Sequence, residues 1–187
     1  MNLLIPIGIV AVLIIAIIVI YNGLISKKNS LDSVTSTLDI ILQKRYDLIP
    51  NLVSSVREYM KHEAGTLTEI TRLREAVSDG GSSQADRFEK ENQLSEKLKG
   101  LSISVENYPD LKASDNFIQL QRSLNEIEEQ LSAARRAYNA SALNLNNARE
   151  QFPSNIIAGM MKLKEAAYYE APAGVQEKPD VKALFNS

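Results

Sequence analysis

The chain has no cysteine, no tryptophan and a single histidine, which removes several classes of chemistry before any motif is considered. Without cysteine there is no disulfide and no thiolate metal site, although that does not fix the compartment. With His62 as the only imidazole, sites built from several histidines are excluded. His62-Glu63 resembles half of a His-Glu-x-x-His zinc motif, but the partner position holds Thr66, so His62 reads as a surface helix residue. Glycine-rich phosphate loops and a Gly-x-Ser-x-Gly elbow are also missing. These absences make an enzyme the weakest of the functional readings and leave no residues to hold a cofactor. Net charge is −2, so there is no basic field to recruit nucleic acid. The eight glycines and six prolines fall mostly at a few breaks, which leaves long uninterrupted segments and favours helix over sheet.

One apolar run is present, from Leu3 to Ile20 and on through Tyr21 and Gly23 to Ile25, with no charged side chain in it. A bilayer core of about 30 Å needs roughly 20 such residues in helical form, so the run predicts one membrane span that contacts the lipid bilayer over Leu3–Ile25. Pro6 lies in its first turn, where a missing N–H costs little. A basic leader and a small-residue cleavage site are not found around it, so the segment (1–25) is expected to be a retained anchor. Lys27 and Lys28 follow the span. Positively charged flanks stay cytoplasmic, so the expected topology is single-pass in the cell membrane with the N-terminus outside and the bundle inside.

Beyond the span the apolar residues recur at helical spacing. Leu31, Val34, Leu38, Ile41, Ile49, Leu52, Val56, Tyr59, Leu67, Ile70, Leu73 and Val77 share one stripe, which predicts a single long helix leaving the membrane. Pro50 should kink this helix without stopping it, and the turn-forming cluster Ser78 to Ser83 should end it. A second helix is expected from an N-cap at Ser82 or Ser83, with Asp86 in its first turn and Phe88, Leu94, Leu98, Leu101, Val105 and Tyr108 inward, ending before Pro109. Leu111 to Ala113 reads as an extended link. Ser114 then caps a third helix with Phe117, Leu120, Leu124, Ile127, Leu131, Ala134, Tyr138, Leu145, Ala148 and Phe152 inward. Glu126, Glu128, Glu129, Arg135 and Arg136 form its solvated face, and Pro153 stops it. A short apolar helix from Asn155 to Tyr169 and a loosely held tail, 171–187, complete the chain. The fold class is therefore all-α: an N-terminal transmembrane helix continuing into an antiparallel bundle of long helices over 26–170.

Within this pattern the stretch Arg45-Tyr46-Asp47-Leu48-Ile49-Pro50-Asn51-Leu52-Val53 resembles the LemA family of bacterial membrane-anchored proteins. Further matches surround it: Tyr21-Asn22, Lys28-Asn29, Asp39, Tyr59 and His62-Glu63, then Tyr138-Asn139, Phe152-Pro153, Ala158 and Tyr168-Tyr169-Glu170. Two features depart from the family pattern: the polar stretch Ser33 to Thr37, and Leu145-Asn146 where a second Tyr-Asn pair is usual. The resemblance implies a membrane helix leading into long antiparallel helices. It carries no established enzymatic activity.

The residues that most need a role are Arg45, Asp47, Pro50, Asn51, Tyr138, Asn139, Phe152 and Pro153. A structural account has Pro50 free the carbonyl of Tyr46, Asn51 or Asn139 bond exposed backbone there, and Asp47 lie near Arg45 or Arg136. The alternative makes the same bend a docking surface for another chain. The expected function is a membrane-anchored helical scaffold or assembly subunit of the bacterial envelope, with a signal-input module acting through a partner as the other class. A homo-oligomer is expected, and an unidentified envelope protein is a possible further partner. The small residues Gly8, Ala11 and Ala16 of the span and the apolar segment Ile156 to Leu163 are the expected contacts.

Overall fold

The computed structural model describes residues 4–78, 81 and 83–170, and all of its regular structure is helical. The first helix, α1, runs from Leu4 to Arg57. At 1.5 Å per residue its 54 residues reach roughly 80 Å, more than twice a bilayer core. Side chains from Ile5 to Val19 stand exposed, and an 18-residue window of this helix has a mean hydropathy of 2.8. It is the one helix among the described residues long and apolar enough to cross a membrane. Leu3 and the tail from Ala171 lie outside the described residues, as do Asp79, Gly80 and Ser82 of the turn cluster.

The long helix expected to reach Val77 is in fact two. It ends at Arg57, turns through Glu58 to Met60, passes a 3₁₀ turn at Lys61–Glu63, and returns as α2, Ala64–Ser78. Met60 is fully buried inside this hairpin, while Tyr59, expected inward, is exposed. Ile49, Leu52 and Val56 on one arm share a core with Leu67, Ile70, Leu73 and Val77 on the other. A chain that doubles back keeps every apolar residue on an inner face, so periodicity alone cannot tell a hairpin from a continuous helix. Pro50 sits inside α1 and the helix continues through it, as expected.

The next helix, α3, spans Gln84–Ser104, and Ser83 caps it by accepting a hydrogen bond from the Asp86 amide at 3.2 Å. Phe88, Leu94 and Leu101 are buried and Leu98 half-buried. A 3₁₀ turn at Val105–Asn107 follows. The expected extended link is instead one helical turn, α4, Pro109–Lys112, because Pro109 at its first position presets the backbone and Leu111 packs into the core. Ser114 precedes α5, Asp115–Glu150, whose side chain makes no cap bond.

Side-chain pairs give the directions. Arg87 meets Asp39 and Arg45 meets Glu91, so α3 runs parallel to α1. Arg45 also meets Glu128, and Leu24 shares a cluster with Ala148, so α5 runs antiparallel to α1 and packs along it most extensively. The lower half of α1 with α2, α3 and α5 therefore makes an up-down-up-down bundle around one apolar core.

Three further expectations change at the C-terminal side. Phe152 does not join the core, because α5 stops at Glu150 and Gln151 adopts an extended backbone that turns Phe152 outward. The segment after it is helical only over α6, Ser154–Met160, and residues 163–170 form a strap without helical structure. The Phe152–Pro153 peptide is cis. Glu128 and Arg135, placed on the solvated face from sequence, both reach inward, as described next.

Candidate functional site

Arg45 lies at the centre of the bundle and is completely buried. Its Nη1 donates to Glu128 Oε1 and to Ser95 Oγ, each at 2.7 Å, and its Nη2 donates to Glu91 Oε2. The hydroxyl of Tyr46 donates to the other oxygen of Glu91. Three helices thus converge on one guanidinium, which is held by two carboxylates from different elements. Burial drives the Glu91 carboxyl up from its ordinary 4.5 to about 7, against the opposing pull of Arg45 and Arg135.

Beside this centre, Arg135 stacks over the ring of Tyr169 with its guanidinium carbon 4.4 Å from the ring centroid. Phe88 fills the other contacts, 4.3 Å from Tyr169 and edge-on to Tyr138 at 5.1 Å between centroids. Burial pushes the Tyr169 phenol up to about 12. Tyr169 belongs to the strap, and the strap is pinned by α5. The side chain of Asn139 donates to the Tyr169 carbonyl and accepts from the Tyr169 amide, both at 2.8 Å. Asn146, two turns further along, does the same with Ala166, both bonds at 2.9 Å. Each carboxamide stands in for a neighbouring strand by offering one donor and one acceptor to a single residue's backbone. Tyr138 adds a bond from its hydroxyl to the Ala167 carbonyl at 3.0 Å. These bonds explain why the strap is not helical: both backbone groups of Ala166 and of Tyr169, and the Ala167 carbonyl, already have partners on α5.

A cleft of about 340 Å³ opens next to the arginine centre, walled by Leu52, Leu98, Leu101, Phe117 and Leu124, with Ser95 and Glu128 at its polar end. No nucleophile there is set against a base. Among the described residues no group of three or more His, Asp or Glu is placed to hold a metal ion.

The family model described as LemA family matches residues 34–183, which takes in the arginine centre, the bundle and the strap. The chain belongs to the LemA family. It is 26% identical over 165 residues to protein LemA of Metamycoplasma hominis, an alignment covering 88% of this chain and 75% of that one. It is also 23% identical over 181 residues to magnetosome protein MamQ of Magnetospirillum gryphiswaldense, covering 82% of this chain and 66% of the relative. Magnetosome protein MamQ 1 of Paramagnetospirillum magneticum matches at 24% identity over the same shares.

The residues that carried the LemA resemblance separate into four places. Arg45 and Tyr46 enter the buried centre, and Tyr138 and Asn139 hold the strap. Asp47, Pro50 and Asn51 point outward from α1, and Phe152 and Pro153 are exposed before α6. Asp47 accepts from Gln43 at 2.8 Å and does not meet Arg45 or Arg136. The carbonyl freed by Pro50 is bonded by Arg74, not by Asn51 or Asn139. Sequence reasoning missed Glu91, Ser95, Arg74, Asn146 and the inward turn of Glu128. Glu91 alone had a local signal, since it falls midway between Phe88 and Leu94 on the inner stripe.

Proposed function

We propose that this LemA-family chain is a non-enzymatic, self-associating helical scaffold or assembly subunit anchored in the bacterial envelope, with its bundle on the cytoplasmic side. The observation that carries the reading is the continuity of α1, which leaves the apolar segment and becomes a bundle helix without a break. A span and a bundle built on one rod hold a surface at a set height above a membrane. The strongest polar side chains support the same reading, because the guanidinium of Arg45 is occupied by Glu91, Glu128 and Ser95 and is not turned toward a substrate. What α1 offers outward is the face Ile40, Gln43, Lys44, Asp47, Pro50, Asn51 and Ser54, which is the surface we assign to assembly.

Light scattering on the full-length protein in detergent tests the assembly: a discrete oligomer is expected, and a monomer at micromolar concentration sinks the reading. Asp47→Lys with Asn51→Lys should shrink the particle while leaving helix content unchanged. Topology rests on Lys27 and Lys28, and protease added to intact right-side-out cells should spare the bundle. A second reading, a signal-input adaptor acting through a partner, is favoured by the place of Glu91, a fully buried carboxyl that joins α3 to Arg45 of α1 and that burial pushes up to about 7. It requires the α1–α3 distance to change across neutral pH, which paired spin labels on the two helices would register.

A further inference from the structure

The inner side of α6 is covered and its outer side is not. Ile157 and Ala158 are buried against Leu24 of α1 and Ala148 of α5, with Ile20, Met161 and Leu163 packed around them. On the outer side Met160 and the preceding Phe152 are each 80% exposed, and Ile156 is 57% exposed. Ile156 and Met160, four residues apart, share the outer face of α6, and Phe152 stands exposed just before the helix, so the three make one exposed apolar group.

The height of α6 along α1 decides what meets this group. From Ile5 to Leu24 the apolar segment rises about 30 Å, the thickness of a hydrocarbon core. The core therefore ends at the level where α6 is clamped to Ile20 and Leu24. Tyr21, half-exposed at that level, is the residue type that marks a membrane–water boundary. Lys27 and Lys28 follow on α1, and Lys162 and Lys164 follow on the chain after α6, all of them exposed. The carboxylates of Glu150 and Glu165 are both held by Arg149, at 3.0 and 2.9 Å, which moderates their repulsion of lipid phosphates. Lys162 takes a left-handed backbone, φ 52, and the Leu163 amide bonds back to the Ala158 carbonyl at 3.1 Å, so α6 is closed off sharply beside α1.

We infer that α6 is an interfacial foot, where Phe152, Ile156 and Met160 enter the headgroup boundary of the leaflet from which α1 emerges, with Lys162 and Lys164 among anionic headgroups. The occupant is lipid because these side chains are exposed at headgroup height on a helix clamped to the end of the span at Ile20 and Leu24. A second copy was the expected partner of this segment from sequence. At this height lipid already surrounds α1, and a neighbouring bundle would have to displace it. The foot gives the anchor a second point of contact. A lone span tilts by about 20° on average, whereas a span braced at its end holds the bundle at one angle to the membrane. The inference rests on α1 crossing the bilayer.

The test uses the full chain in vesicles of phosphatidylcholine and phosphatidylglycerol. Because there is no native cysteine, Ile156→Cys and Met160→Cys can each carry a single environment-sensitive fluorophore. Tyr21→Cys serves as the boundary reference and Ala133→Cys, exposed on α5, as the aqueous one. Labels at 156 and 160 should be quenched by a lipid spin-labelled near its headgroup as strongly as the label at 21, and by iodide several-fold less than the label at 133. Iodide quenching at 156 and 160 equal to that at 133 would overturn the foot. Shielding from both quenchers, with energy transfer between copies, would assign this surface to a second chain and also overturn it. Loss of lipid quenching at position 21 as well would overturn the membrane reading of α1 together with the inference.

Discussion

Arg74 on α2 donates from its Nε to the main-chain carbonyl of Tyr46 at 2.9 Å. That carbonyl is the one Pro50 cannot serve, since proline lacks the N–H that would close the turn four residues on. The returning arm of the hairpin thus supplies the donor that the first arm lost. Arg74→Ala should cost about 1–2 kcal/mol, the penalty for leaving an acceptor unpaired. Placed in a Pro50→Ala background, where residue 50 regains an N–H, it should cost less than half as much. Urea unfolding of the four proteins measures the coupling, and equal costs in both backgrounds would separate Arg74 from Pro50. Pro50→Ala alone should keep the fold and its helix content, because Ala is about 3 kcal/mol better placed in a helix interior.

Arg45→Met should be among the most damaging substitutions in the bundle. It leaves Glu91 buried without its cation, a loss of about 3–5 kcal/mol at a pH above 7, where the native carboxyl is ionised. Glu128 is only partly buried and can turn to water, so Glu91 carries the penalty. The double variant Arg45→Met/Glu91→Leu should recover much of the stability, as read from denaturation midpoints. A double variant no more stable than Arg45→Met would show that the arginine acts through other contacts.

The Glu91 carboxyl titrates near 7 in the fold and at an ordinary 4.5 otherwise. Between those values the native protein holds a proton that the unfolded chain has released. The contribution of this group is therefore complete below about 4.5 and falls away as pH rises through 7, by roughly 3 kcal/mol in total. Glu91→Gln should flatten that part of the stability profile. Denaturation of both proteins across this range checks the sign, and a wild-type slope that survives in the variant would point to another titrating group.

The strap should detach when its carboxamides are changed. Asn146→Ala removes both bonds to Ala166 and should cost about 1–3 kcal/mol. Asn139→Asp keeps the acceptor for the Tyr169 amide but sets an ionised oxygen against its carbonyl at neutral pH, so its effect should shrink as pH falls and the protonated carboxyl can donate. Hydrogen exchange should quicken at the Ala166 and Tyr169 amides while the centre of α5 stays protected. Unchanged exchange at those amides would mean that packing of Tyr169 against Phe88, not the asparagines, holds the strap.

Residues read in order were enough to determine the apolar segment of α1, a cap at Ser82 or Ser83, the long helix α5 and the inward stripes apart from Tyr59 and Phe152, because each depends on neighbours within a few positions. The family was legible as well, from the motif around Pro50. Tertiary structure alone decided that the chain reverses at Met60, since a 3.6-residue repeat states which face is apolar and not what covers it. It alone decided which charges turn inward. Glu91 and Glu128 are 46 and 83 residues from Arg45, and a buried carboxylate is tolerable only where a cation from elsewhere arrives to meet it. The strap follows the same reasoning: Ala166 to Tyr169 had the composition of a helix end, and it became a pinned, irregular segment because Asn139 and Asn146 of α5 satisfied its backbone first.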